Sequence, residues 1–283
     1  MNNGKPVYGI IGNPVAHSLS PLMHNTAFRE LKVDAEYRLF PLKEEELERF
    51  LSNLRQKDSP IFGLNVTVPY KERVVPYMDY LSPFAQKTGA VNTIGISKER
   101  EVRGFNTDGP GFLAHLAELA FDTTGKRIVI LGAGGTARAI VTALFLLPER
   151  PHSIRIYNRH KEKADLLVSE VGRLSSGDFI ESVARLEDLD REPSDLLINA
   201  TPLGLKTDDP CPVIDDVFHP DMLVYDVIYN PKETTFLKRA KNKGARIANG
   251  LGMLFYQGVL AFQHWADIQL DERVKRKMWE SIT

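Results

Sequence analysis

Several polar clusters in this chain carry residue types that a plain hydrophobic core would not place there, and one pairing among them could move a proton. In Asn65-Val66-Thr67-Val68-Pro69-Tyr70-Lys71, Asn65 and Thr67 share one face of a strand while Leu64, Val66 and Val68 take the other. A polar stripe at a strand end, followed by a lysine just past a proline, is a common way to build a site. Lys71 reads as lying near a helix start, where the dipole works against a cation, and that suits proton transfer. Taken alone, Lys71-Glu72-Arg73 reads rather as a solvated charged turn. Asp108, in Asn106-Thr107-Asp108-Gly109, precedes a helix and reads locally as its N-cap. Ser18-Leu19-Ser20 runs into Pro21, so Ser20 can be an N-cap with proline at the first helical position. Both hydroxyls point the same way and could meet a carboxylate at the helix start; capping alone leaves Ser18 unexplained. Asn92 and Gln257 are amides inside apolar runs. Their hydrogen-bond partners must be backbone or a polyhydroxylated ligand.

A second kind of chemistry is written in Gly132-Ala133-Gly134-Gly135-Thr136-Ala137, which follows an apolar strand and opens a helix. That is the context of a dinucleotide fingerprint. Gly132 permits the tight turn, Gly134 lets the backbone approach a pyrophosphate, and Ala137 stands at the helix-packing position. Free amides at the helix N-terminus would carry the phosphate charge. The bland alternative is a tight strand–helix turn. The next strand ends in Asn158-Arg159-His160-Lys161, with Lys163 beyond and no acid for a ribose 2′-hydroxyl. Arg159 can fork onto a 2′-phosphate, so NADP is favoured over NAD. A solvated Arg/Lys run is the other reading, although cations at a helix start oppose the dipole.

The elements that must position these residues alternate between strand and helix. Strands are expected at 7–11, 36–42, 61–68, 90–96, 102–105, 127–131, 154–157, 196–199, 223–227 and 245–248, with 90–96 and 102–105 a pair around the polar turn Lys98-Glu99-Arg100-Glu101. Helices are expected at 21–31, 44–55, 110–120, from the glycine cluster to 147, and over 253–266, whose apolar faces need cover. This alternation predicts an α/β protein of parallel sheets covered by helices. A length of 283 residues favours two domains, and 43% hydrophobic with 26% charged residues is an ordinary globular composition that excludes disorder. A net charge of -1 gives no basic field for nucleic acid or an anionic membrane. The polar start Met1-Asn2-Asn3-Gly4-Lys5 shows no signal-peptide core, and no apolar stretch is long enough to span a membrane. Cys211, the single cysteine, reads as an incidental loop thiol, and the expected location is cytoplasmic. The seven histidines show no paired metal-ligand spacing, so no metal is expected, and His17 reads as a neighbour of Ser18 rather than a base.

Taken together and in order, these clusters resemble the shikimate dehydrogenase family over nearly the whole chain. The resemblance rests on Ser18-Leu19-Ser20, Asn65-Val66-Thr67 with Pro69 and Lys71, Gly89-Ala90-Val91-Asn92, and Asn106-Thr107-Asp108. It continues through Gly132-Ala133-Gly134-Gly135, Asn158-Arg159, Asn199-Ala200-Thr201, Tyr229 before Asn230-Pro231, and Gly250-Leu251-Gly252-Met253-Leu254 with Gln257. It implies an N-terminal α/β substrate domain over 1–107, to which 250–283 returns. A Rossmann-type doubly wound NADP-binding domain would span 108–249, with a cleft between the two. The implied activity is NADPH-dependent reduction of 3-dehydroshikimate to shikimate, by a monomer or homodimer. By that likeness Lys71 and Asp108 form the catalytic pair. Ser18 and Ser20 hold the substrate carboxylate, and Asn65, Thr67, Asn92 and Gln257 meet the ring oxygens with Tyr229 close by. Gly132, Ala133, Gly134, Gly135, Thr136, Asn158, Arg159, His160, Lys163, Thr201, Val227, Gly250 and Met253 would line the cofactor. His160 stands where the family has threonine, and Pro202 and Leu205 where serine and methionine are common. A quinate/shikimate dehydrogenase using NAD and a ligand sensor without turnover are the rival readings.

Overall fold

The computed structural model describes residues 5–174, 179–189, 193–206, 208–266 and 269–283, so the Met1-Asn2-Asn3-Gly4 start lies outside the described residues. The chain divides into two compact units, Met1–Gly111 with Phe255–Thr283, and Phe112–Leu254. Asp108 therefore belongs to the first unit, where the sequence reading had it open the second.

The first unit begins with β1 (Val7–Gly12), α1 (Ser20–Glu30), β2 (Glu36–Pro41), α2 (Leu47–Asn53) and β3 (Ile61–Val66). It continues with β4 (Tyr80–Leu81), α3 (Pro83–Thr88), β5 (Thr93–Ile96), β6 (Val102–Phe105) and the start of α4 (Asp108–Glu118). Its sheet runs β2-β1-β3-β5-β6-β4. The expectation of an all-parallel sheet fails here, because β5 is antiparallel to both β3 and β6. The cause is local: β5 and β6 are joined by the short polar turn 97–101, too short for a parallel crossover. The strand expected over 61–68 stops at Val66, and Val68, placed on the apolar face from sequence, is 62% exposed. The strand expected from residue 90 starts only at Thr93, leaving 90–92 as irregular chain.

The second unit carries β7 (Arg127–Leu131), α5 (Gly135–Phe145), β8 (Ser153–Tyr157), α6 (Lys161–Gly172) and β9 (Ile180–Val183). Then come β10 (Leu196–Asn199), β11 (Leu223–Asp226), α7 (Thr235–Asn242), β12 (Arg246–Ala248) and the first turn of α8 (Leu251–Ala266). The remainder of α8, with α9 (Glu272–Glu280), belongs to the first unit. The sheet of the second unit is parallel throughout, in the order β12-β11-β10-β7-β8-β9. Both faces are covered: Ile128 and Ile130 pack in one apolar cluster while Val129 and Leu131 pack in another. That is why β7 reads as an unbroken apolar run. No helix among the described residues is long and apolar enough to cross a membrane.

The first unit buries an aromatic cluster beneath β1, β2 and β3. His24 on α1 is fully buried, stacked on Tyr37 at 4.5 Å and packed against Trp265 at 5.0 Å. Neither of its ring nitrogens meets a hydrogen-bond partner. Burial pushes its pKa down to about 3, with Asn65 pulling weakly the other way. Its neutral form is thus the folded form, and its contribution is fully present above the unfolded value near 6.5 and lost as pH falls. At pH 4.5 that loss is about 2–3 kcal/mol. Denaturant unfolding from pH 7 to 4.5 should show a shallower decline for His24→Phe than for the parent protein; equal slopes would contradict the assignment.

Candidate functional site

In the first unit the irregular segment 89–92 is the frame of the site. α3 opens on Ser82, whose side chain accepts from the Ala85 amide, and ends on Gly89 at φ 60°, a conformation glycine adopts freely. The chain then passes through fully buried Ala90 and Val91. The Val91 amide donates to the Lys71 carbonyl at 2.7 Å, and Asn106 Nδ2 donates to the Ala90 carbonyl at 3.0 Å. One short stretch therefore ties down the backbones on which Lys71 and Asp108 sit.

Those two side chains meet. Lys71 Nζ donates to Asp108 Oδ2 at 2.6 Å, with the side chains 11% and 7% exposed. The other carboxylate oxygen, Oδ1, accepts from Asn92 Nδ2 at 2.8 Å. The solvated-turn reading of Lys71 and the capping reading of Asp108 both give way. No α-helix starts at Lys71, which lies in turns leading to a 3-10 turn at Val75–Tyr77, so the dipole argument for it is withdrawn. Asp108 is the first residue of α4, and its amide is satisfied by Asn106 Oδ1 at 3.1 Å. A nearly buried ion pair with a hydrogen-bonded carboxylate, one edge still open to solvent, is suited to holding and passing a proton.

The other expected residues of this unit gather on the same elements. Asn65 is buried on β3, its Oδ1 accepting from Tyr37 at 2.7 Å. Thr67 follows just beyond the strand, half-buried, and its hydroxyl makes no hydrogen bond among the described residues. Asn92 is more committed internally than the sequence suggested. Its Nδ2 donates to Thr107 Oγ1 at 3.0 Å besides Asp108, and its Oδ1 accepts from the Thr107 amide at 2.7 Å. Gln257 on α8 reaches Asn92 Nδ2 at 3.4 Å, an approach that depends on Gly111, where a Cβ would lie 2.7 Å from the Gln257 amide nitrogen. Ser20 is not the N-cap expected; Leu19 takes that place without a side-chain bond, and helix α1 starts at Ser20. Ser18 Oγ, the hydroxyl that capping left unexplained, accepts from the Ser20 amide at 3.2 Å.

In the second unit the strand order reverses between β7 and β10, and the expected nucleotide residues lie just past the carboxyl ends of β7, β8, β10 and β11. Such a switch point opens a crevice for a ligand. Gly132, at φ 109°, has room for no side chain: a Cβ would lie 2.9 Å from the Ala200 carbonyl oxygen. At Gly134 the same atom would meet nothing within 4 Å, so the backbone ahead of α5 faces open space where a phosphate fits. Ala133 is buried, Gly135 and Thr136 begin α5, and fully buried Ala137 packs the helix down. After β8, Asn158 Nδ2 donates to the His160 carbonyl at 2.8 Å, and His160 caps α6 without a side-chain bond. Arg159, His160 and Lys163 are exposed, and among the described residues neither Arg159 nor Lys163 makes an ion pair, unlike Lys161, which bonds Asp165. Thr201 Oγ1 donates to Asn199 Oδ1 at 2.6 Å; Val227 is half-buried, and Gly250 has its would-be Cβ 2.0 Å from the Val227 carbonyl oxygen. Met253 is packed into the core, and Tyr229 is a half-buried residue of this unit. Cys211 is half-buried here, its thiol pushed up by burial. Among the described residues no group of three or more His, Cys, Asp or Glu could hold a metal ion.

The sequence reading missed Asp226. An acid at the end of an apolar strand was the available signal. Fully buried, it accepts from Thr234 Oγ1 at 2.7 Å, the Ile228 amide at 3.1 Å and Asn199 Nδ2 at 3.1 Å. It thereby joins the loop after β10 to the loop after β11.

Comparison with known proteins gives one answer along the chain. Residues 10–94 match the family described as shikimate dehydrogenase substrate binding domain, and residues 115–202 the family described as shikimate / quinate 5-dehydrogenase. A curated relative, shikimate dehydrogenase (NADP(+)) of Moorella thermoacetica, is 42% identical over 95% of this chain and 92% of its own. The crystal structure of shikimate dehydrogenase from Aquifex aeolicus superposes with a TM-score of 0.87 at 37% identity, covering 98% of each chain. That of shikimate 5-dehydrogenase from Thermus thermophilus, in complex with NADP(H) and shikimate, gives 0.85 at 34% identity, again over 98% of each chain.

Burial pushes the Asp226 pKa up to about 6, against its hydrogen bonds. A raised folded value means that its stabilising contribution is complete below the unfolded value near 3.9 and is lost as pH rises through 6, about 3 kcal/mol in all. Asp226→Asn should flatten the unfolding free energy between pH 4 and 7; an unchanged slope would show that Asp226 is ionised throughout.

Proposed function

This chain belongs to the shikimate dehydrogenase family, and on that premise we propose that it catalyses the reversible NADPH-dependent reduction of 3-dehydroshikimate to shikimate, with Lys71 and Asp108 as its catalytic pair. The observation that carries the residue assignment is the 2.6 Å contact between Lys71 Nζ and Asp108 Oδ2 at a nearly buried position. NADPH bound by the residues after β7 and β8 would supply a hydride for the ketone. The ketone oxygen then takes a proton, and the Lys71 ammonium gives it, taking it back in the oxidation. Asp108 orients the amine and accepts the neighbouring substrate hydroxyl. Ser18 and Ser20 at the start of α1 receive the substrate carboxylate. Thr67, with a hydroxyl uncommitted among the described residues, and the amides of Asn65 and Gln257 receive ring oxygens.

The choice of NADPH is supported by Arg159 and Lys163, exposed cations at the end of β8 where an NAD site would carry an acid. An Arg fork recognises a 2′-phosphate bidentately. The NAD-linked quinate/shikimate reading lacks that support. Pathway role goes with the activity: aromatic amino-acid biosynthesis, in the cytoplasm, by a monomer or homodimer.

The test follows nicotinamide absorbance with 3-dehydroshikimate and either NADPH or NADH. Rapid turnover with NADPH and much slower turnover with NADH is the expected result. In the same assay Lys71→Ala should lower kcat by about 10²–10⁴-fold while moving KM much less. A large rise in KM with kcat intact would make Lys71 a binding residue, and a preference for NADH would overturn the Arg159 argument.

A further inference from the structure

Behind the Lys71–Asp108 pair runs a continuous set of hydrogen bonds among buried side chains. Tyr37 Oη donates to Asn65 Oδ1 at 2.7 Å, and Asn65 Nδ2 donates to Thr93 Oγ1 at 3.4 Å. Thr93 Oγ1 donates to Asn92 Oδ1 at 3.1 Å, and Asn92 Nδ2 donates to Asp108 Oδ1 at 2.8 Å. Every donor in this series points towards the carboxylate, so each bond polarises the next. Orientation is fixed at Asn92: the Asp108 carboxylate can only accept from its Nδ2, and the Thr107 amide at 2.7 Å can only donate to its Oδ1.

Thr93 is the one hydroxyl on which the two amides converge. It opens β5, opposite Asn65 on β3 and Phe105 on β6, and it is fully buried. A hydroxyl can donate once and accept twice, and here it stands between Asn65, Asn92 and Thr107, whose Oγ1 is 3.2 Å away. We infer that Thr93 is a positioning residue of the reaction: its hydroxyl couples the amides of Asn65 and Asn92, and through Asn92 holds Asp108 against Lys71. Without it, Asn92 Oδ1 keeps the Thr107 amide but loses a second donor, Asn65 Nδ2 keeps only the Asn92 carbonyl at 3.4 Å, and the link between the two amides is weakened. The inference rests on the reading of Lys71 and Asp108 as the catalytic pair.

Thr93→Val keeps the β-branched shape and removes the hydroxyl; Thr93→Ser keeps the hydroxyl and removes the methyl. In steady-state shikimate oxidation, Thr93→Val should lower kcat by about tenfold or more through misplacement of the pair, with KM for NADP+ within about twofold of the parent. Thr93→Ser should stay within about twofold of the parent, which a mere packing role would not produce. In an Asp108→Ala background Thr93→Val should have no further effect on kcat. If the valine protein does not fold, Thr93→Ala against Thr93→Ser makes the same comparison. Parent-like kcat in the variant lacking the hydroxyl, or equal losses with and without it, would overturn the inference. Lys71→Ala in the same series separates the two claims. Loss there with none at Thr93 sinks only the positioning role, whereas no loss at Lys71 sinks the catalytic assignment on which it depends.

Discussion

A lysine and an aspartate held at 2.6 Å with little exposure to solvent are the constraint around which the first unit is organised. Removing two charges from water costs several kcal/mol per ion unless the geometry and the remaining hydrogen bonds compensate. The fold answers with Asn92 on the free carboxylate oxygen, Asn106 on the Asp108 amide, and the Val91 amide on the Lys71 carbonyl. Those groups lie on chain that is irregular because it serves the site. The 89–92 segment leaves α3 through a left-handed glycine and does not pair as strand until Thr93.

The second unit solves a different problem with a different sheet. An all-parallel, doubly covered sheet leaves loops beyond the carboxyl ends of its strands, and a crevice where the strand order reverses between β7 and β10. Gly132 is required by backbone approach to Ala200, whereas Gly134 is required by nothing in the chain itself. A glycine whose side-chain position is empty, ahead of a helix N-terminus, is what a phosphate needs. Asp226 then locks the loops after β10 and β11 to one another from beneath.

Much of this was legible in the residues. Spacing gave β7, β8 and β10 nearly to the residue, because doubly buried strands read as apolar runs. The clusters at 65–71, 89–92 and 106–108 were recognisable as polar chemistry in apolar surroundings. What they do to one another was not. Nothing local distinguishes Asp108 as an N-cap from Asp108 as the partner of a lysine 37 positions earlier. At Ser20 the helix starts one residue earlier than its sequence suggests, so Leu19 takes the N-cap position and Ser18 Oγ accepts from the Ser20 amide. The pairing of β5 with β6 around the polar turn was legible, whereas the antiparallel pairing of β5 with β3 was not. Buried partners such as Thr93 and Tyr37 carry no sequence signal, being ordinary strand residues until the register places them beside the site.

The central claim is that Lys71 and Asp108 act as one unit. A double-mutant cycle on kcat for shikimate oxidation, comparing Lys71→Ala, Asp108→Ala and the protein carrying both changes, addresses it most directly. Groups that work together give a double variant about as slow as the slower single one. Losses that multiply, each substitution costing the same whether or not the other is present, would mean that the two side chains act separately despite their contact.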